Sequence, residues 1–448
     1  MGSYLERPVT TKESEVGSGH GLEWVSTGMQ GWRVGMEDAH IALTGLQCGS
    51  SDRTKFSLFG VFDGHGGREV ANFCRRHIPD QVQNHLRSLH KEDDQGLEVA
   101  AIAQALVRAF NGIDDMLRQP EFEEELLSYR KPRNSNGAEN DRPTSPPRDP
   151  AGEGSQDGGA GVSGGQAQQS SCPSQVQAVQ DRLQAAVAAD MARANEKGSL
   201  TSQEAMRIAM GMSFLQRLEG SAAQGSSSPA DSSTCALNAG CTAVCVVITD
   251  TYLVCANAGD SRAVLCRGGR SVALSRDHKP NDRSERRRIM AAGGTIKEIT
   301  TSGRDGRSGR TQYRVNGDLN LSRAIGDLRH KTRPDLRPEQ QVICATPDVH
   351  FEVREPDDEF LVLACDGVWD VRTNAQVCDE VREGLRAGRP LRDVTESLLD
   401  ACISPDPKAT QGLGADNMTI VVAKMEGVAA APTSPRKGGF CFPFRCLR

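Results

Sequence analysis

No apolar run in this chain approaches the roughly 20 residues that cross a bilayer, which excludes a membrane-spanning helix. The N-terminus is polar and does not resemble a signal peptide. No Cys-x-x-Cys pair occurs among the 14 cysteines, which argues against a zinc site. Without a secretory signal, that cysteine count does not indicate a disulfide framework either. Cys241, Cys245, Cys255 and Cys365 sit in strand-like runs, where a free thiol packs as a small hydrophobe, so a reduced, intracellular compartment is expected. An excess of positive charge is also missing. The formal net charge of -6 speaks against nucleic acid as the main partner, because phosphate binding wants a basic face. Aromatic residues make up only 4%, and the 46 glycines point to many turns or a low-complexity stretch. What is present, 37% hydrophobic and 25% charged residues, predicts a folded core and not outright disorder.

Residues 21–128 alternate strand and helix patterns. From about 129 to 233 the composition shifts to Pro, Ser, Gly and Gln, as in Arg142-Pro-Thr-Ser-Pro-Pro147, which cannot bury enough apolar surface to offset chain entropy. A long, partly disordered insert is expected there. Within it, Val176, Val179, Leu183 and Val187 recur at helical spacing, and Thr201-Ser-Gln-Glu204 fits a capping box ahead of Met206, Met210, Phe214 and Leu218. Residues 175–219 therefore read as helices that either lie on the domain surface or dock a protein partner; the sequence does not decide which. Patterned sequence returns from Cys235 to Lys424. Residues 21–424 read as one domain, with a separate N-terminal segment 1–20 and a flexible tail 425–448. Thr242–Ile248 and Tyr252–Ala256 predict a hairpin, Phe360–Cys365 and Met418–Ala423 buried strands, and the Arg-rich run between Asp282 and Gly293 a helix. Hairpin-linked strands with helices between them indicate antiparallel sheets covered by helices, an α+β arrangement.

The apolar run Phe56–Phe62 reads as a strand buried on both faces, and it ends in Asp63-Gly64-His65-Gly66-Gly67. A carboxylate at the end of a rigid strand is fixed in space, as a metal ligand must be. Taken alone, the motif could equally be a glycine turn. Four more acids stand at strand ends: Glu37, Asp260, Asp366 and Asp416. Each by itself is more often a turn former or cap than a ligand. Five in one domain, with glycine beside three of them and no sulfur, suit hard cations such as Mg²⁺ or Mn²⁺.

Arg33-Val-Gly-Met-Glu37-Asp38, Val61-Phe-Asp63-Gly64-His65-Gly66-Gly67, Gly240-Cys-Thr-Ala243 and Ala258-Gly-Asp260-Ser-Arg262 occur in that order. Asp277-His-Lys-Pro280, Leu321-Ser-Arg-Ala-Ile-Gly-Asp327, Ala364-Cys-Asp366-Gly-Val-Trp-Asp370 and Asp416-Asn417-Met418 follow. Together they resemble the ordered motifs of the metal-dependent protein phosphatases of type 2C, the PPM family, from about Trp24 to Lys424. The resemblance implies a four-layer sandwich (αββα) of two antiparallel sheets flanked by helices, hydrolysing phosphoserine and phosphothreonine in protein substrates. It implies that Asp63 bridges two Mg²⁺ or Mn²⁺ ions, that Asp366 and Asp416 complete one site, and that Glu37 and the Gly64 carbonyl complete the other. Asp260, with Asp366, would hold a weaker third ion. Arg33 would clamp the phosphate and His65 protonate the leaving oxygen, while Asp38, Asp327 and Asp370 would orient ligands or stabilise turns. A catalytically inactive scaffold with the same fold is the alternative, although no metal acid of the pattern is missing. The chemistry calls for these residue types: an arginine fork matches phosphate geometry, and a histidine supplies the proton an alkoxide needs. Arg286, Arg287 and Arg288 imitate a nuclear-import cluster, yet in the family this segment is a helix leading to a flap near the active site, with the loop 300–309 inside it.

Met1-Gly-Ser-Tyr-Leu-Glu6 would expose Gly2 for N-myristoylation, although Glu6 stands where the pattern has Ser or Thr. Met1–Leu5 with Pro8, Thr10 and Lys12 resembles the start of the family's gamma branch, which also carries a long insert. The expectation is a cytoplasmic monomer, with peripheral membrane attachment through Gly2 and a nuclear location both left open. The tail Phe440–Arg448 offers aromatics, cations and two cysteines as a second membrane signal, or is simply disordered.

Overall fold

The computed structural model describes residues 4–49, 52–89, 97–130, 235–300 and 311–425. Gly2, the insert from 131 to 234 with its expected helices at 175–219, the loop 301–310 and the tail beyond Met425 lie outside the described residues.

In chain order the strands are β1 (Val9–Gly19), β2 (Leu22–Gly31), β3 (Ala39–Gln47), β4 (Lys55–Phe62), β5 (Gly64–His65), β6 (Gly240–Cys241), β7 (Ala243–Ile248) and β8 (Tyr252–Ala258). Then come β9 (Arg262–Arg267), β10 (Arg270–Ala273), β11 (Ile296–Thr300), β12 (Thr311–Val315), β13 (Ile325–Gly326), β14 (Asp348–Val353), β15 (Asp358–Ala364) and β16 (Met418–Met425). The helices are α1 (Glu69–Leu89), α2 (Val99–Met116), α3 (Glu123–Tyr129), α4 (Cys235–Asn238), α5 (Arg283–Ala291), α6 (Asp366–Trp369), α7 (Asn374–Arg386) and α8 (Leu391–Cys402).

β4 shows why this sequence makes layers. Successive side chains of a strand point to opposite faces. Phe56, Leu58 and Phe62 join α1 and α2 in one core, while Phe59 and Val61 join a second core facing the other way. The strand belongs to a five-stranded sheet ordered β14-β8-β7-β4-β3. β15 repeats the pattern in a six-stranded sheet ordered β1-β2-β16-β15-β9-β10. Its Leu361 and Leu363 meet Phe59 and Val61 between the sheets, and Phe360 and Val362 turn outward under α7 and α8. All pairings within both sheets are antiparallel. The result is the expected αββα sandwich. Each fully buried Phe or Leu contributes about 1.5–3 kcal/mol, so alternation along two central strands alone gives both sheets a strong reason to stack.

The N-terminal boundary needs correction. Val9–Gly19, expected outside the domain, is the edge strand of the six-stranded sheet, paired with β2 from Val9↔Gly31 to Gly19↔Leu22. His20 (φ 55) and Gly21 (φ 67) take the left-handed pair that a two-residue hairpin demands. The strand was hard to read because its side chains are mostly polar and satisfied laterally: Ser14 Oγ donates to Glu396 at 2.8 Å and Lys12 pairs with Asp400.

The Arg-rich helix is also tied down. Glu285 of α5 is 2% exposed and accepts from Arg288 (2.6 Å) and Arg323 (2.8 and 3.1 Å). Arg288 thus faces inward and does not belong to an exposed import-like cluster. Burial alone would raise the Glu285 carboxyl, but Arg323 and Arg288 bring it down to about 2. A folded value below the unfolded one of about 4.3 gives stability that is present above that pH and lost as pH falls towards 2. Glu285→Gln is expected to cost about 3 kcal/mol at neutral pH. Its melting temperature should therefore fall well below wild type at pH 7 and approach it at pH 3. Equal gaps at both pH values would show that the ion pair is not the source.

Candidate active site

Strand direction brings the acids to one end of the sandwich. Asp63 follows the last residue of β4, and Glu37 lies two residues before β3, its antiparallel neighbour. Asp260 follows β8 across a single glycine, in the same sheet. From the other sheet, Asp366 comes just after β15 and Asp416 just before its antiparallel neighbour β16. Arg33 leaves the end of β2, which pairs with β16. Both sheets therefore deliver acids to the same edge, and the mutual electrostatic influence of Asp63, Asp260, Asp366 and Asp416 places them in one cluster.

Close backbone approaches hold the cluster together. The Asp63 carbonyl accepts from the Thr242 N–H at 2.9 Å. Gly64 lies against the Glu37 carbonyl so tightly that a Cβ would strike it, and Gly367 is in the same position against the Asn417 carbonyl. Asn417 fastens the remaining loop: its Nδ2 donates to the carbonyls of Gln30 (2.8 Å) and Gly35 (2.9 Å), while its Oδ1 accepts from the Glu37 N–H at 3.0 Å. On the other side, Trp369 Nε1 donates to the Ala364 carbonyl at 2.8 Å, clamping the short turn α6 that carries Asp366.

His65 has its own ladder. β5, β6 and β13 form a three-stranded sheet in which His65 pairs with Gly240, and Gly240 with Gly326. This register sets Asp327, the residue after β13, beside the imidazole, with His65 Nε2 2.7 Å from Asp327 Oδ2. A Cβ at position 240 would collide with both groups, so glycine is needed there. Asp327 is fully buried and takes a left-handed backbone (φ 47), stored strain of the kind found at functional sites.

The electrostatics follow from this crowding. Burial, then the charges of Asp366, Asp38, Asp416 and Asp260, push Asp63 well above the usual carboxylate range. Asp366 is raised in the same way, by burial and then by Asp260, Asp416 and Asp370. Asp38, whose Oδ2 accepts from Thr419 Oγ1 at 2.7 Å, is pushed up to about 7, chiefly by burial. Two cations answer these acids. Arg33 Nη2 contacts Asp416 Oδ2 at 2.6 Å, and Lys279 Nζ contacts Asp260 Oδ2 at 2.5 Å. Burial works against both charges, but the neighbouring carboxylates overcome it and raise both. Burial likewise opposes the imidazolium of His65, and Asp327 outweighs it, raising the ring above the ordinary imidazole value.

The donor set fits hard divalent cations. Apart from His65, every converging side chain able to ligate an ion is a carboxylate, and burial followed by like charge keeps Asp63 and Asp366 raised despite the nearby Arg33 and Lys279. Asp38 also keeps one buried oxygen without a hydrogen-bond partner among the described residues. Among the described residues no three His, Cys, Asp or Glu side chains form a ready-made cage, and Asp416 and Asp260 direct oxygens to Arg33 and Lys279. Lys279 and Asn417 had no assigned role from sequence alone. Their signals were present, since both stand inside motifs quoted above, but only the fold shows what each one touches.

The family profile described as "Protein phosphatase 2C" matches residues 22–128 and 154–410. The chain belongs to the protein phosphatase 2C family. It is similar to "Protein phosphatase ppm-1.G" of Caenorhabditis elegans, 32% identical over 519 residues, covering 94% of this chain and 98% of that protein. "Probable protein phosphatase 2C 11" of Oryza sativa subsp. japonica is 34% identical over 426 residues, covering 95% and 91%. Among solved structures, the serine-threonine phosphatase 2C from Toxoplasma gondii shares the fold with a TM-score of 0.50 at 16% identity, covering 94% of this chain and 98% of that one. The protein is accordingly a protein phosphatase acting on phosphoproteins.

Proposed function

We propose that the protein is a metal-dependent phosphatase of phosphoserine and phosphothreonine residues, using Mg²⁺ or Mn²⁺. The observation that carries this reading is the gathering of Asp63, Asp366, Asp416 and Asp260 from two sheets beside one arginine and one acid-paired histidine. Asp63, Asp366 and Asp416 would hold one ion, and Asp63, Glu37 and the Gly64 carbonyl a second. Asp260 with Asp366 suits a weaker third. When bound, the cations supply an activated water and screen the phosphate charge.

The rest is work for the chain's own groups. Arg33 presents a planar fork to two phosphate oxygens, its charge secured by Asp416, Asp63 and Asp366. Water oxygen, having given one proton to solvent, bonds to phosphorus as the bond to the serine or threonine oxygen breaks. His65 donates its proton to that leaving oxygen, and Asp327 holds the ring in place and favours the charged form before transfer.

The test compares phosphate release from phosphoserine, phosphothreonine and phosphotyrosine peptides, each in Mn²⁺ and in EDTA. Release from the first two only with metal, and slow release from the third, is expected. An inert protein in saturating Mn²⁺ would favour the scaffold alternative, and equal release in EDTA would overturn the metal requirement.

A further inference from the structure

Helix α5 carries a charged face that the phosphatase chemistry leaves unused. Arg283, Arg286 and Arg287 are exposed, and none makes a side-chain hydrogen bond or ion pair with a described residue. Arg262, Arg267, Arg288 and Arg323, by contrast, are each locked to carboxylates. Positions three and four apart share one helix face, so the three arginines form a stripe, and Met290, 58% exposed, continues it by one more turn. The opposite face is anchored through Glu285 and Ile289. The surrounding sequence repeats the bias: residues 276–314 hold eleven Lys and Arg against five Asp and Glu, in a chain of net charge -6.

The stripe adjoins the acid cluster along the chain. Lys279, which touches Asp260, stands four residues before Arg283, so their Cα atoms are at most about 14 Å apart. The inner face of the helix is bound to the same motif, since Ser322 Oγ donates to Glu285 at 2.8 Å and lies 3.0 Å from the His278 carbonyl. An extended peptide advances about 3.3 Å per residue. A phosphopeptide with its phosphate at the acid cluster therefore brings side chains about three to six residues away within reach of the arginines.

We propose that Arg283, Arg286 and Arg287 select phosphoprotein segments with acidic residues flanking the phosphorylated site. The inference rests on the phosphatase reading above and names its preferred substrate class. Nucleic acid is disfavoured as occupant because the stripe is one helical turn long and the whole chain is acidic. Exposed, unpaired cations act mainly on encounter and are screened by salt, so the effect belongs in kcat/KM.

The test uses two phosphoserine peptides that differ only in carrying glutamates or glutamines three to six residues from the phosphosite. Wild type should favour the acidic peptide by about three- to tenfold in kcat/KM at low salt, and the preference should vanish at high salt. Arg283→Gln, Arg286→Gln and Arg287→Gln combined should erase the preference and leave p-nitrophenyl phosphate turnover unchanged. Fluorescence anisotropy of both labelled peptides in EDTA gives a second readout that needs no turnover. Loss of all turnover with acidic-peptide binding retained would overturn the phosphatase reading and leave the docking face standing. Equal kcat/KM and equal binding for the two peptides, a preference that survives in the triple variant, or triple-variant-sensitive binding of a DNA oligomer but not of peptides, would overturn the proposal.

Discussion

Asp63→Asn is expected to lower Mn²⁺-stimulated phosphopeptide turnover by more than about a hundredfold, because partners one shell further from a metal already cost ten- to a hundredfold when lost. The same change should leave the fold intact. Asp63 sits after β4, whose side chains fill two cores, and its backbone carbonyl keeps the bond from Thr242. In EDTA the variant should melt no lower than wild type. The carboxylate is desolvated and surrounded by Asp366, Asp38, Asp416 and Asp260, so asparagine removes repulsion at the same volume. Added Mn²⁺ should raise the wild-type melting temperature by several degrees through preferential binding to the folded state, and the variant's much less. Circular dichroism, melting curves and initial rates check the three statements. A variant that is inactive and unfolded would place Asp63 in the structural framework.

His65→Gln separates proton donation from phosphate binding. With a phosphoserine peptide the leaving alkoxide needs a proton, and kcat should fall by about 10²–10³. With p-nitrophenyl phosphate the leaving group departs as a stable anion, so the loss should stay below about tenfold. The environment supports this assignment: Asp327 is fully buried, strained and directed at Nε2, and it raises the pKa of His65 above the ordinary imidazole value despite burial. Asp327→Asn should reproduce the substrate-dependent pattern at smaller amplitude, since it weakens the imidazolium without removing the ring. Equal losses on both substrates would assign His65 to binding or to packing instead.

Much of this was legible in the chain. The run Phe56–Phe62 announced a doubly buried strand, and the alternation of its side chains between two cores is what that reading requires. The hairpin across Thr249-Asp250-Thr251, the strands before Asp366 and after Asp416, and the helix Arg283–Ala291 were each readable from local pattern. Local pattern failed where the partner is remote. β1 is polar, and only its pairing with β2 makes it a strand. Lys279 against Asp260, Asn417 across Gln30, Gly35 and Glu37, and Arg323 turned onto Glu285 depend on contacts that sequence spacing does not encode. The need for glycine at 240 likewise appears only once His65 and Asp327 are seen to meet over it.

The proposed chemistry requires one carboxylate, Asp63, to be shared between two cations. Equilibrium dialysis against Mn²⁺ measures this directly by counting ions bound to wild type, Glu37→Gln and Asp63→Asn. About two tightly held ions are expected for wild type, with Glu37→Gln weakening one and Asp63→Asn weakening both, as a bridging ligand requires. Wild type that binds no Mn²⁺, or Asp63→Asn that still binds two ions with wild-type affinity, would show that Asp63 does not bridge a metal pair.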